Sequence, residues 1–182
     1  MTVIYCNFGD KDTALLKNIW KGLKDVKVIE LTGDDVVKEK DIVQNAIKNE
    51  ENMLLLCGHG SPFGLFSPSF ETFAFTPADL KLVKAKNVIG IWCHASRFAE
   101  MYHAKGFFSS MFISNLSEAK FNNCYNTTAG KINKATTRFC NRVNKLIKEN
   151  VPISQWEHIL KAQCDYDDEV EAFNYNGLMF FD

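Results

Sequence analysis

The chain has 182 residues and a formal net charge of −1, and about 46% of its residues are hydrophobic. This length suits one domain, and the composition supplies a sizeable core and excludes a disordered chain. There is no clustered basic excess and no apolar run long enough to cross a bilayer. We therefore expect neither a nucleic-acid partner nor a membrane-spanning segment.

The cysteine content and the N-terminus bear on the cellular compartment. The first residues, MTVIYCNFGDKD, lack the basic and apolar regions of a signal peptide. The six cysteines show no tight framework spacing. We therefore predict reduced thiols and a cytoplasmic location.

The first half of the chain alternates short apolar runs with amphipathic segments. Strands are predicted over residues 3–8, 26–31 and 53–57. A helix with Asp12 as N-cap is predicted between the first two strands, and a second helix over residues 34–49. The run Leu-Leu-Leu in the third strand has no alternation, which is typical of a parallel strand covered on both faces.

The next segment continues this alternation. A Gly/Pro/Ser/Phe-rich loop is predicted over residues 60–75, and Thr76-Pro77-Ala78-Asp79 reads as the start of a helix. A fourth strand over 88–92, a helix near 96–104 and a fifth strand around 108–114 follow.

The C-terminal third is predicted to be mainly helical. A long amphipathic helix carries apolar residues at helical spacing: Ile132, Ala135, Phe139, Val143 and Leu146. The sequence SQWE at 154–157 matches a capping box for another helix. Residues 165–171 are predicted to be a solvated acidic loop, and 173–181 a last strand.

Strands that alternate with helices predict an α/β fold with a mostly parallel sheet of about six strands. We expect one domain over residues 1–182, with the core sheet in about 1–115 and the C-terminal helices and last strand in about 116–182. Binding sites of such sheets lie beyond the carboxyl ends of the strands.

Two successive apolar strands end in reactive residue types at this edge. The run LLLCGHGS places His59 between two glycines, and the run VIGIWCHAS places Cys93 just after the next strand. A histidine can generate the thiolate that makes a cysteine nucleophilic, provided that the two are close in space. The pattern therefore predicts a His–Cys pair.

Simpler interpretations of these residues stay open. Cys93 can be a small buried hydrophobe, and His59 a structural residue of a turn. A zinc site formed by Cys57, His59, Cys93 and His94 is a further alternative, although the spacing does not match the usual ligand patterns. We assign His94 a structural or rim role. No phosphate-binding glycine motif is present.

The two motifs resemble those of the caspase-like cysteine peptidases, the clan of caspases, legumain, clostripain and gingipains. In that clan a strand followed by His-Gly precedes a strand followed by Cys, and here these are His59, Gly60 and Cys93. The resemblance covers the sheet from residue 3 to about 115, and it implies a caspase-like three-layer α/β/α sandwich.

The resemblance implies hydrolysis of peptide bonds without a cofactor or a metal. Cys93 would be the nucleophile, His59 would transfer protons, and the backbone N–H groups of Gly60 and Cys93 would hold the oxyanion. Ser114, Asn115 and Glu118 would lie beside the substrate cleft, with an ordinary turn and helix cap as the alternative. The partners would be a peptide or protein substrate and a regulatory protein.

The residues that set specificity in the clan are not matched. The three arginines, Arg97, Arg138 and Arg142, all follow Cys93, and Ile91 stands where arginine-specific relatives carry an acid. The resemblance therefore implies neither aspartate nor arginine specificity. The alternative function is a catalytically silent caspase-like module that acts in binding or regulation.

Overall fold

The structure, a computed structural model, describes all residues from 1 to 182. Nine strands and seven α-helices make up most of it. The strands are β1 (Thr2–Cys6), β2 (Lys27–Leu31), β3 (Met53–Cys57), β4 (Gly60–Ser61), β5 (Gly64–Phe66), β6 (Phe73–Phe75), β7 (Asn87–Ile91), β8 (Gly106–Phe108) and β9 (Met179–Phe181). The α-helices are α1 (Lys11–Ala14), α2 (Val36–Asn49), α3 (Ala95–Tyr102), α4 (Leu116–Phe121), α5 (Ala129–Lys148), α6 (Trp156–Ala162) and α7 (Glu169–Asn176). Three 3-10 segments, Leu15–Ile19, Pro77–Leu82 and Ile153–Gln155, complete them.

Six strands form the central sheet in the order β2-β1-β3-β7-β8-β9. All neighbours in it are parallel except β8 and β9, which are antiparallel. The α/β fold with a mostly parallel sheet of about six strands is thereby confirmed. Because β1, β3 and β7 are central, their side chains are buried on both faces of the sheet.

Helices cover both faces of this sheet, and each face has its own apolar core. One core packs Leu16, Phe139 and Trp156 against alternate residues of the central strands. The other packs Val43 and Phe98, from α2 and α3, against the opposite residues. This arrangement is consistent with a three-layer α/β sandwich. None of the seven helices has the length and apolar composition that a transmembrane helix requires.

Several elements differ from the prediction in the first 115 residues. The first helix begins earlier, with Asp10 rather than Asp12 as its N-cap, and continues as a 3-10 segment. The predicted loop at 60–75 contains a three-stranded antiparallel sheet, β4-β5-β6. Its strands have only two or three residues, too few to show a periodicity. The fifth strand ends at Phe108, because the chain then turns back toward α3, where Ser109 O accepts from Ser96 N–H.

The C-terminal third also departs from the prediction. The long amphipathic helix is confirmed as α5. Ser154, however, lies inside a 3-10 turn that follows Pro152, so SQWE is not a capping box. The predicted solvated loop and last strand contain helix α7, with Glu171 fully buried, and the strand β9 is only three residues long. The pairing of Glu171 with Arg138 and Arg142 explains its burial.

Candidate active site

His59 and Cys93 occupy equivalent positions at the ends of two neighbouring parallel strands. Cys57 of β3 is the register partner of Ile91 of β7. The ladder continues one step further, since Gly58 N–H donates to Ile91 O at 3.2 Å. His59 and Cys93 therefore each stand two residues beyond a paired position. Both line one cleft at the carboxyl edge of the sheet.

The residues beside the pair connect the two strand ends. The indole N–H of Trp92 donates to Ser61 O at 3.1 Å. This bond links the loop after β7 to the hairpin after β3. Gly60 permits this approach, because a Cβ atom there would lie 2.2 Å from Trp92 Cδ1. Gly58, with φ of +150°, lies against Cys6. Both glycines are thus required by the backbone path around His59.

The imidazole of His59 is held from one side by an acid that sequence reasoning did not assign. Its Nε2 lies 2.8 Å from Asp10 Oδ2, and the other oxygen, Oδ1, accepts from Thr13 N–H and from the Thr13 hydroxyl. Partial burial tends to raise the pKa of the Asp10 carboxyl, but the bonds from Thr13 and His59 prevail and lower it. Asp10 is therefore a carboxylate that fixes the ring.

Two phenylalanines complete the surroundings of the ring. The Phe8 ring meets His59 edge-on with centroids 4.7 Å apart, and the Phe70 ring stacks on it at 6.0 Å. Phe70 is 60% exposed and adopts a positive φ of 61°. These contacts restrict the imidazole to one orientation.

Cys93 lies in the turn between β7 and α3. This turn is shaped by His94, which has φ of 66° and whose N–H donates to Ser110 O at 3.1 Å. The Ser109 hydroxyl donates to Trp92 O at 2.9 Å. His94 therefore shapes the turn through its backbone, and it does not line the cleft.

The thiol of Cys93 is neutral at ordinary pH. Burial raises its pKa to about 11, a backbone hydrogen bond from Phe112 partly offsets this, and the carboxylates of Glu118 and Asp12 raise the pKa further. No hydrogen bond joins Cys93 to His59 in this state. The two side chains therefore line the same cleft without a direct bond between them.

The two backbone donors assigned to the oxyanion differ in position. Cys93 N–H donates to no acceptor of the protein. Gly60 is opposite Leu65 in the hairpin, and the bond from Phe66 N–H to His59 O makes Gly60–Leu65 a non-hydrogen-bonded pair. Gly60 N–H therefore points away from β5. Gly60 itself does not line the cleft.

The three predicted cleft residues are brought together with Asp12 at one rim. Ser114 lines the cleft, and Glu118 Oε2 accepts from its N–H at 2.8 Å and from its hydroxyl at 2.9 Å. Asn115 caps α4 and donates to Asp12 Oδ2 at 2.8 Å. Asn115 and Glu118 thus form the turn and helix cap that the alternative interpretation describes, and Ser114 faces the cleft.

The alternative zinc site is not formed. No three His, Cys, Asp or Glu side chains are grouped closely enough to hold a metal ion. Cys57 lies inside the core, where its thiol contacts Ile4 O at 3.8 Å. All six cysteines are free thiols.

Residues Asp10, Asp12 and Thr136 are the site residues that the sequence analysis missed. A signal for the first two was present, because FGDKD follows the first strand and β1 is the neighbour of β3. Thr136 comes from the middle of α5 and carries no such signal.

Comparisons of the chain with protein-family models, with curated proteins and with solved structures found no significant match. The resemblance to caspase-like peptidases therefore depends on the two motifs in the sequence.

Proposed function

We propose that the protein is a caspase-like cysteine endopeptidase that hydrolyses peptide bonds with His59 and Cys93. The observation that supports this best is the shared cleft, in which both residues lie two positions beyond paired residues of β3 and β7. Neighbouring parallel strands bring the two residues to one cleft, and acyl transfer would need a nucleophile and a base in such an arrangement.

The first half of the reaction forms an acyl-enzyme. Cys93 Sγ attacks the scissile carbonyl carbon, and its proton passes to Nδ1 of His59, because Nε2–H is donated to Asp10. The carbonyl oxygen becomes an oxyanion, and the N–H of Cys93, which has no acceptor in the protein, would stabilise it. The C–N bond then breaks, the leaving amine takes the proton from His59, and a thioester remains.

The second half restores the thiol. Water attacks the thioester carbon while His59 accepts one of its protons. The C–S bond breaks, the carboxylic acid leaves, and His59 returns the proton to Sγ. Because the resting group is a thiol, His59 acts as general base only once the substrate is in place.

A specific observation favours the silent module as the second candidate function. The pKa of Cys93 is raised to about 11, chiefly by burial, and no hydrogen bond activates its thiol. In this case the exposed carboxyl edge of the sheet would bind a peptide or a regulatory partner without cutting it.

A cleavage screen separates these two candidates. Purified protein is incubated with a mixed peptide library, and new termini are identified by mass spectrometry. We expect cleavage by the wild type and no detectable cleavage by Cys93→Ala or His59→Ala. Cys164→Ala is the matched control, because Cys164 is also partly exposed but lies outside the cleft. Cleavage that persists in Cys93→Ala, or is absent from the wild type, contradicts the proposal.

A further inference from the structure

The cleft that holds His59 and Cys93 is a narrow cavity between the ends of β3 and β7, the first helical segment and α5. Its interior volume is about 30 Å³, and its walls include Leu16, Ile91 and Phe112. Since one water molecule occupies roughly 10–15 Å³ on this measure, the cavity has room for a group of about two or three heavy atoms. Long side chains do not fit into it.

A polar group without a partner lies in the lining of this cavity. Thr136 is 1% exposed, and its hydroxyl oxygen has no hydrogen-bond partner. The other two hydroxyl groups of the lining are already engaged, since Thr13 donates to Asp10 and Ser114 donates to Glu118. Buried polar groups in native proteins are rarely left unpaired, because each unpaired group is destabilising. A bound group that reaches Thr136 would satisfy its hydroxyl.

The acidic side chains around the cavity are not balanced by a lysine or an arginine. Asp12 lines it, and Glu118 holds Ser114 at the rim. No lysine or arginine contributes to the lining. A carboxylate entering the cavity would therefore meet like charge and would lose its hydration without a cationic partner.

We infer that this cavity receives the side chain of the substrate residue that supplies the scissile carbonyl, and that it selects serine or threonine. The inference rests on the proposed peptidase function, because Cys93 attacks the carbonyl carbon of that residue and its side chain therefore starts beside Sγ. The hydroxyl of serine or threonine is short, uncharged and able to pair with the hydroxyl of Thr136.

The test uses six peptides, taken from a sequence that the protein cleaves, which differ only at this residue: Ser, Thr, Ala, Val, Asp and Arg. We expect kcat/KM for the Ser peptide to exceed that for Ala about tenfold, and likewise for Thr over Val, the effect of one buried hydrogen bond. The Asp and Arg peptides should be slower than the Ala peptide. Equal values for Ser and Ala, or a preference for Asp or Arg, would overturn the inference.

The variant Thr136→Val removes the hydroxyl with little change of shape. It should lower the ratio of kcat/KM for the Ser peptide to kcat/KM for the Ala peptide from about ten to about one. Thr127→Val is the matched control, because the Thr127 hydroxyl is also buried and unpaired but lies outside the cleft. Retention of the preference in Thr136→Val contradicts the assignment, and circular dichroism checks that both variants are folded.

Failure of the proposed function gives a different result, namely no cleavage of any peptide. The cavity is then tested by protection of Cys93 from iodoacetamide with peptides that end in serine amide or alanine amide. Protection by the serine peptide at about tenfold lower concentration, lost in Thr136→Val, supports the cavity as a hydroxyl-binding subsite. Equal protection by the two peptides, or none, overturns it.

Discussion

Asp10 determines which nitrogen of His59 is available for proton transfer. Its lowered pKa keeps it charged at neutral pH, and a carboxylate can only accept a hydrogen bond. Nε2 of His59 therefore carries the proton that lies between them, and Nδ1 is the nitrogen with a free lone pair. Asp10 is a positioning residue, since it acts on the substrate only through His59.

Asp10→Asn is expected to lower kcat/KM about 100-fold, at the low end of what a general acid–base group contributes. An amide can donate to Nε2 and so stabilise the wrong tautomer, with Nδ1 protonated. The measurement is the pH profile of kcat/KM, whose lower limb should also shift. Asp35→Asn is the matched control, because Asp35 likewise caps a helix but lies outside the cleft. An unchanged profile in Asp10→Asn contradicts the role.

The ionisation of Cys93 gives a second prediction about a single side chain. Since burial raises its pKa to about 11, the thiolate fraction should still be increasing as pH passes the usual thiol value of about 8.5. Iodoacetamide labelling of Cys93, followed by mass spectrometry, should therefore accelerate about tenfold per pH unit from pH 7 to 10. A plateau below pH 9 would show instead a thiolate stabilised by the imidazolium of His59.

The carboxylates that contribute to this shift can be removed without touching the dyad. Asp12→Asn and Glu118→Gln should each accelerate labelling a few-fold at pH 8, because each variant removes a negative charge that disfavours the thiolate. Glu157→Gln, a carboxylate paired with Lys161 and outside the cleft, serves as the control.

Helices α5 and α7 are joined by an ion-pair cluster around the buried carboxylate of Glu171. Glu171 of α7 is fully buried and is bound by Arg138 and Arg142 of α5, and Arg142 also donates to Tyr175. Thr136, in the cavity wall, lies on the same helix α5. Disruption of the cluster leaves two guanidinium groups without their shared partner.

Glu171→Gln is expected to reduce the free energy of unfolding by about 2 kcal/mol, because the charged hydrogen bonds to a buried carboxylate are lost while both arginines stay partly exposed to water. Urea unfolding followed by tryptophan fluorescence measures this. Glu169→Gln, on the same helix but with an exposed carboxylate bonded to Asn126, should leave the transition nearly unchanged. Equal effects of the two variants would show that the cluster does not secure α7.

The chain as a whole has two apolar cores that share one sheet. Cys6 lies in the core beneath α2 and α3, and Cys57 and Cys140 lie in the core beneath α5. Since Cys6 and Cys57 come from adjacent strands β1 and β3, neither core can open without disturbing the sheet. We therefore expect the two cores of the predicted single domain to unfold together.

Cys6, Cys57 and Cys140 should become reactive in one cooperative transition. Pulsed thiol labelling across a urea gradient, with mass spectrometry of each cysteine peptide, should give the same midpoint for all three. Exposure of Cys140 at a lower urea concentration than Cys6 would reveal two units of independent stability.

Much of the fold and part of the site could be predicted from local patterns. The unbroken apolar runs at 53–57 and 88–92 indicate parallel strands, and a parallel sheet requires their carboxyl ends to share an edge. His59 and Cys93 follow these two runs directly, so their common cleft could be expected. Short strands such as β4 and β6 could not be found, because two or three residues carry no periodicity.

The sequence was thus sufficient to predict the class of fold and the common cleft of His59 and Cys93. The ends of strands can be located from local patterns, and parallel pairing brings these ends to one edge of the sheet. The three-dimensional arrangement decided the rest. Asp10, Glu118 and Thr136 reach the site from three separate segments, and only packing sets the distance of Asp10 from His59 and leaves Thr136 without a partner. The neutral state of Cys93 has the same origin, since burial and neighbouring charges depend on the folded chain and not on its sequence neighbours.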